Sequence, residues 1–296
     1  MNERTLFLLL AQVVKLATPL LLAALGETLA ESAGVIILAL DGIIMLSALS
    51  AFAVASTVDN LVVGAVAGAL TGLALAALFS YFVVRQKRDQ FATGLIIGTL
   101  AIAISSYAGG PFVPRPANSF PDLAIPVLGD IPILSAFFRQ DIFVYLGYAL
   151  AVVLSLYLYR TRPGITARAV GVNPEAAERR GIRVGRVQTV HVLLAGVMAG
   201  LAGAAFTLNA KPGWTQNHTL GWGWLALTLV IFGRQNPVWV TVGTYLFTLF
   251  SAAGIVQIFV PALPAQLTGV VPFLLMLVVL LLSSGAPRAK RAAAQT

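Results

Sequence analysis

Cysteine is absent from the 296-residue chain, and histidine occurs only twice, at His191 and His218. The first absence excludes a disulfide framework, an iron–sulfur cluster and a thiolate zinc site. The two histidines are far apart and no acidic cluster accompanies them, so no metal site is expected. Charge is scarce as well: Asp, Glu, Lys and Arg make up 10% of the residues, against about 25% in soluble globular proteins. Neither an ordinary soluble enzyme nor a disordered chain fits that balance. A phosphate loop of the G-x-x-x-x-G-K-[ST] type is also missing, because none of the four lysines follows a glycine. The chain is not expected to hydrolyse ATP or to carry catalytic residues, and it needs no cofactor of its own.

What fills the sequence is apolar. Hydrophobic residues reach 58% and the mean hydropathy is +0.90. The runs fall near 5–25, 35–56, 59–84, 91–108, 141–160, 189–208, 219–233, 237–258 and 265–284. A helix crosses a ~30 Å hydrocarbon core with ~20 such residues. The expected fold class is therefore all-α: a polytopic helical membrane protein of about 8–10 transmembrane helices, one transmembrane domain over 1–296. The first run contains Lys15, Thr18 and Pro19 and reads as a span, or as an interfacial helix leading into a shorter one, because no signal-type cleavage site follows it. The run 219–233 is short for a straight crossing and reads as a half-helix covered by its neighbours.

The net charge of +8 is not a nucleic-acid footprint, because the basic residues lie between spans rather than on one face. Fourteen of the nineteen lysines and arginines fall in the connections 85–90 and 160–188, at Arg234 and in the basic tail 285–296; only Arg115, Arg139 and Lys211 fall on the alternate connections. Cationic loops stay in the cytoplasm. That places the C-terminus inside and, for nine spans, the N-terminus outside. The outer connection 109–140 holds six prolines, which forbid a continuous helix and suggest an ordered external loop or a short interfacial helix.

Within 160–188, the run Gly171-Val172-Asn173-Pro174-Glu175-Ala176-Ala177-Glu178-Arg179-Arg180-Gly181 is written as a short helix. Asn173 is a good N-cap, Pro174 suits the first position, Glu175 complements the helix dipole, and Gly181 supplies a left-handed end. A helix of about seven residues is marginal alone, so the protein body, a lipid surface or a partner must hold it. Ala176 and Ala177 carry little bulk, as a helix lying in another protein's groove requires.

This run, followed by Leu194-Ala195-Gly196-Val197-Met198-Ala199-Gly200-Leu201-Ala202-Gly203-Ala204, resembles the cytoplasmic coupling region of permease subunits in bacterial ABC importers. The branch it resembles serves simple sugars, nucleosides and related small polar solutes. Leu16 to Glu27 resembles the family's opening, Gly221-Trp222-Gly223-Trp224 through Asn236-Pro237 its late motif, and Leu263-Pro264 to Leu275 its last span. The chain departs from the pattern at Ile36 to Gly42, where the family carries an asparagine and a Gly-x-Glu-Gly turn, and at Gly98, where an asparagine is common. The resemblance implies a multi-pass protein of the bacterial inner membrane that moves a solute inward, with ATP and magnesium on a separate ATPase. It implies a second permease subunit, two ATPase subunits and an extracytoplasmic solute-binding lipoprotein as partners. It also implies that Gly171, Asn173, Pro174, Glu175, Ala176, Ala177 and Gly181 contact the ATPase. Nucleosides fit the motifs best, with simple sugars or a flavin-like vitamin as alternatives.

Inside the spans, Lys15 and Asp41 stand out as ionisable residues, and such groups face a cavity or a partner because exposure to lipid is costly. Asp41-Gly42 is a candidate helix break on the substrate path. Equally, Asp41 is satisfied by a neighbouring helix terminus or by Lys15. Gly64, Gly68 and Gly72, and likewise Gly196 and Gly200, share a helix face and read as packing surfaces. The four tryptophans read as interfacial anchors. An ion-coupled secondary transporter would need matched acids or helix breaks in two halves, and Asp41 has no counterpart in the second half.

Overall fold

The computed structural model describes residues 3–113, 115, 118–124, 135–251, 274 and 278. The last apolar run, 265–284, and the basic tail 285–296 lie outside the described residues save for Leu274 and Val278, both helical. Contacts group the chain into two compact units, Met1–Thr244 and Tyr245–Thr296.

The helices of the first unit are α1 (Glu3–Ser32), α2 (Leu40–Val58), α3 (Leu61–Ser80), α4 (Gln90–Ala108), a single turn α5 (Ser135–Phe138), α6 (Ile142–Arg160), α7 (Arg162–Val172), α8 (Pro174–Arg179), α9 (Val184–Ala205) and α10 (Trp222–Phe232). Helix α11 (Pro237–Ser251) begins in the first unit and ends in the second. π-helical turns extend α3 over Tyr81–Arg85 and α9 over Phe206–Ala210. Among the described residues, six helices are long and apolar enough to cross a membrane, while α10 and α11 are shorter. The fold is a polytopic helical bundle. The described strands, β1 (Leu123–Ala124) and β2 (Arg139–Gln140), form one small antiparallel pair in the proline-rich connection.

The first run is one continuous helix rather than an interfacial helix and a shorter span. Pro19 sits inside it, and the Thr18 hydroxyl donates to the Val14 carbonyl at 2.9 Å in the turn that the proline disturbs. Extension to Ser32 carries the helix well past the expected end at residue 25. Helices α1, α2 and α9 form the core, whereas less than a third of the apolar stretch of α3, α4 and α6 is buried. The glycine pattern explains how α3 meets α9. A methyl on Gly72 would run into the Gly196 carbonyl and Gly200, and one on Gly196 into Ala76 and Gly72, so the two backbones lie against each other.

The arginine-rich connections collect at one end and the arginine-poor ones at the other. At one end, the Ala33 carbonyl accepts from Gln188 Nε2 at 3.3 Å, the Ile36 amide donates to Gln90 Oε1 at 3.3 Å, and Gln235 Nε2 donates to Glu31 Oε1 at 2.8 Å. The segments 85–90 and 160–188 and Arg234 lie at this arginine-rich end. At the other, Lys15 pairs with Asp122 at 2.6 Å, and the Phe120 amide donates to the Leu208 carbonyl at 3.3 Å.

Helix α10 has the half-length that the apolar run suggests. Its eleven residues rise about 16 Å, roughly half of a ~30 Å core. It ends at Phe232, two residues before Arg234 on the arginine-rich end, so it starts near mid-depth. Residues 211–221 reach that point from the opposite end without regular structure. They are covered there: Trp214 is buried, and Trp222 packs edge-on to Phe206 with ring centroids 4.5 Å apart. Trp214 is thus a core residue, not an interfacial anchor.

Candidate functional site

The capping logic of the short helix holds in detail. The Asn173 side chain accepts from the Ala176 amide at 2.9 Å, Pro174 takes the first position, Glu175 lies in the first turn, and Gly181 is left-handed at φ 79°. The helix ends at Arg179, one residue earlier than the expected Arg180. It is not isolated. Helix α7 precedes it directly, sharing Asn173 as the C-cap of α7 and the N-cap of α8. Residues 162–172 fall within the connection 160–188, and Gly164, Thr166 and Gly171 are poor helix formers. Tertiary contacts override that: Gly164, Ala167 and Val170 are buried, and a methyl on Gly164 would meet the Tyr157 carbonyl.

The two alanines of α8 point differently. Ala177 is 4% exposed and faces the protein, whereas Ala176 is exposed with Asn173, Pro174 and Glu175. Val172 is 87% exposed and Ile165 51%, which leaves apolar side chains beside α8 on the same end of the molecule. Gly181 has open space around the position of a side chain. Gly171 does not: a methyl there would enter the Ser32 carbonyl and approach the Gly34 amide. Of the seven residues assigned to coupling, five are thus presented at the surface, while Gly171 and Ala177 join the helix to the bundle.

Asp41 and Gly42 sit in the first turn of α2, not at a helix break. The carboxylate is 6% exposed and accepts the Gly223 amide on Oδ1 at 2.8 Å and the Gly221 amide on Oδ2 at 3.1 Å. It therefore lies between two helix N-termini, its own and that of α10, where both dipoles favour an anion. The helix-terminus reading is the one these hydrogen bonds describe, and Lys15 is engaged by Asp122 instead. The glycines are required by this clip. Gly221 adopts φ 90°, and a methyl on Gly223 would collide with the Asp41 backbone. Gly42 lies against the Gly98 carbonyl with no room for a side chain.

Sequence reasoning missed other buried acids. Glu27 is 0% exposed on α1, and its Oε1 accepts the Ile37 amide at 2.9 Å. Asp141 caps α6 through the Phe143 amide at 2.7 Å and accepts from Asn209. Desolvation raises the Asp141 carboxyl above its ordinary range, against the pull of its backbone bonds and of Lys15. The available signal was the pair Glu27 and Glu31, one helical turn apart at the end of a long apolar run.

The histidines serve separate local networks. His191 Nδ1 donates to the Val187 carbonyl at 2.7 Å and Nε2 faces the Tyr157 hydroxyl at 3.1 Å. His218 Nε2 donates to the Lys211 carbonyl at 3.1 Å and Nδ1 accepts from Thr215 at 2.7 Å. Burial, with the Lys211 charge nearby, lowers the His218 pKa.

The amino-acid sequence of this polytopic bundle is similar to those of known transport proteins. The family described as "Branched-chain amino acid transport system / permease component" matches residues 9–280. The chain is 34% identical over 249 residues, 82% of its length and 76% of the relative's, to the "Putative glucose ABC transporter permease protein TsgC13" of Haloferax volcanii. It is 27% identical over 235 residues, 75% of this chain and 74% of the other, to the guanosine ABC transporter permease of Bacillus subtilis. Identity to the nucleoside ABC transporter permease NupC of Lactococcus lactis is 30% over 173 residues, 57% of this chain and 55% of that one. The chain belongs to the branched-chain amino acid transport permease family and is an ABC transporter permease subunit.

Proposed function

We propose that this permease imports a nucleoside, using ATP hydrolysed by two separate ATPase subunits that dock on α8 at a cytoplasmic arginine-rich end. A second permease completes the pathway, and an extracytoplasmic solute-binding lipoprotein delivers the solute. The observation that carries this reading is the exposed, doubly capped helix Pro174–Arg179, braced by α7 against the bundle. Closure of the ATPases on ATP would press on α8, and the differential affinity of ATP for the two permease states would supply the bias. Substrate neutrality is consistent with Asp41: the mid-depth helix termini that would suit an anionic solute already hold the chain's own carboxylate. The 34% identical relative named for glucose favours a sugar as the second reading.

The test is co-purification and uptake in proteoliposomes with the partner subunits. Ala176→Arg should abolish capture of the ATPase and uptake while the permease stays folded. Normal uptake by that variant would refute docking on this face, and uptake by the chain alone under an ion gradient would replace the ATP-driven reading. Binding of nucleosides against sugars by the cognate solute-binding protein decides the solute.

A further inference from the structure

Glu27 is expensive for what it holds. Its side chain is 0% exposed, yet Oε1 has one donor, the Ile37 amide, and Oε2 has no hydrogen-bond partner among the described residues. An apolar side chain of similar volume commonly does as well or better for stability at such a position, so stability does not explain the acid. Its effect on the backbone does.

Residues 33–39 link α1 to α2 without helix; Ala33, Val35, Ile37 and Ala39 are buried, and side chains reach this backbone from Gln188, Gln90 and Glu27. At its start, Ser32 and Gly34 (φ 82°) lie against Gly171, two residues before the cap of α8; a methyl on Gly34 would stand 3.2 Å from the Gly171 Cα. At its end, Asp41 clips the N-terminus of α10 through Gly221 and Gly223. Between the two, Ile37 hangs on Glu27. The base of the ATPase-docking helix is thus joined to the mid-depth start of the half-helix by ten residues of chain, and the Glu27 bond, at 2.9 Å and shorter than those of Gln188 to Ala33 and Gln90 to Ile36 (3.3 Å each), is the anchor nearest the half-helix.

We infer that Glu27 is a positioning residue for transport, whose hold on the Ile37 amide stiffens the strap 32–41 so that displacement of α8 reaches α10. This rests on the proposed function, because it takes α8 as the point where ATPase force enters. Coupling of this type needs a contiguous packed route and two arrangements of the elements it joins. The route is the set of contacts just named. Without the tether, the strap absorbs the motion, and ATP is spent with little solute moved.

The experiment uses the complete transporter in proteoliposomes, measuring hydrolysis and uptake on one preparation. Capture of the ATPases by the unaltered permease is established first; its failure overturns the proposed function and this linkage together. Glu27→Met, similar in volume but without an acceptor, should lower solute moved per ATP by about tenfold while hydrolysis changes by less than about twofold. Glu27→Gln keeps a carbonyl acceptor for Ile37 and should keep the ratio. Ile37→Pro removes the donor, leaves the acid in place and carries the same expectation as Glu27→Met, standing in for it if that variant does not assemble. An unchanged ratio, uptake and hydrolysis falling in parallel in an assembled complex, or Glu27→Gln failing as Glu27→Met does would each overturn the inference.

Discussion

Asp41 shows how a charge survives in an apolar bundle: it faces two backbone amides and two helix termini instead of a cation. Loss of the acceptor leaves buried amides unpaired, at about 1–3 kcal/mol. Asp41→Ala should therefore lower the unfolding temperature of the purified permease, and Asp41→Asn should lower it less, as followed by intrinsic fluorescence of Trp222 and Trp224. His218 adds a pH dependence with a definite sign. Its folded pKa lies below the ordinary value of about 6.5, so the unfolded chain takes up the proton first as pH falls. The neutral ring's contribution is complete above pH ~6.5 and is lost as pH drops through the folded value. Protection of the 211–221 amides from hydrogen exchange, corrected for the fall of the intrinsic exchange rate with pH, should decrease below pH ~6.5, and His218→Asn should flatten that response. At this scale the sequence marked Asp41 as anomalous, but its partners lie 180 and 182 residues away, where no local rule reaches. Glu27 went unnoticed for a related reason. An acid at the end of an apolar run looks solvated until the 33–39 link, α9 and α10 are folded against α1.

Among the elements, α8 was legible because caps act within four residues, and Asn173, Pro174 and Gly181 are local instructions. Helix α7 was not, since its formation depends on burying Ala167 and Val170 against other helices. Which alanine of α8 points outward was also hidden, because orientation follows from docking and not from capping. The α3–α9 crossing is the converse case: glycines at four-residue spacing announced a close approach, and the backbones do touch at Gly72 and Gly196. A side chain forced into that contact overpacks it, which typically costs about 1–3 kcal/mol and often more where backbone blocks relief. Gly196→Leu should thus reduce the yield of folded permease sharply in detergent size-exclusion chromatography, while Leu70→Ala, on the exposed side of α3, should leave it unchanged.

For the whole molecule, charge and hydropathy marked the six long apolar helices among the described residues, and the connections 85–90 and 160–188 and Arg234 lie together at one end of them. The absence of cysteine makes the sidedness directly measurable. In intact cells, a membrane-impermeant thiol reagent should label Lys211→Cys, and it should label Arg180→Cys only after permeabilisation; the reverse pattern would invert the orientation. The order in which the chain is made bears on Glu27 too. Helix α1 leaves the ribosome more than 150 residues before α9 and α10, which help to enclose it. Until those arrive, an ionised Glu27 facing lipid would be costly. The newborn helix must therefore wait beside the insertion machinery, or carry its carboxyl neutral, so that biogenesis of this permease is gated by its second half.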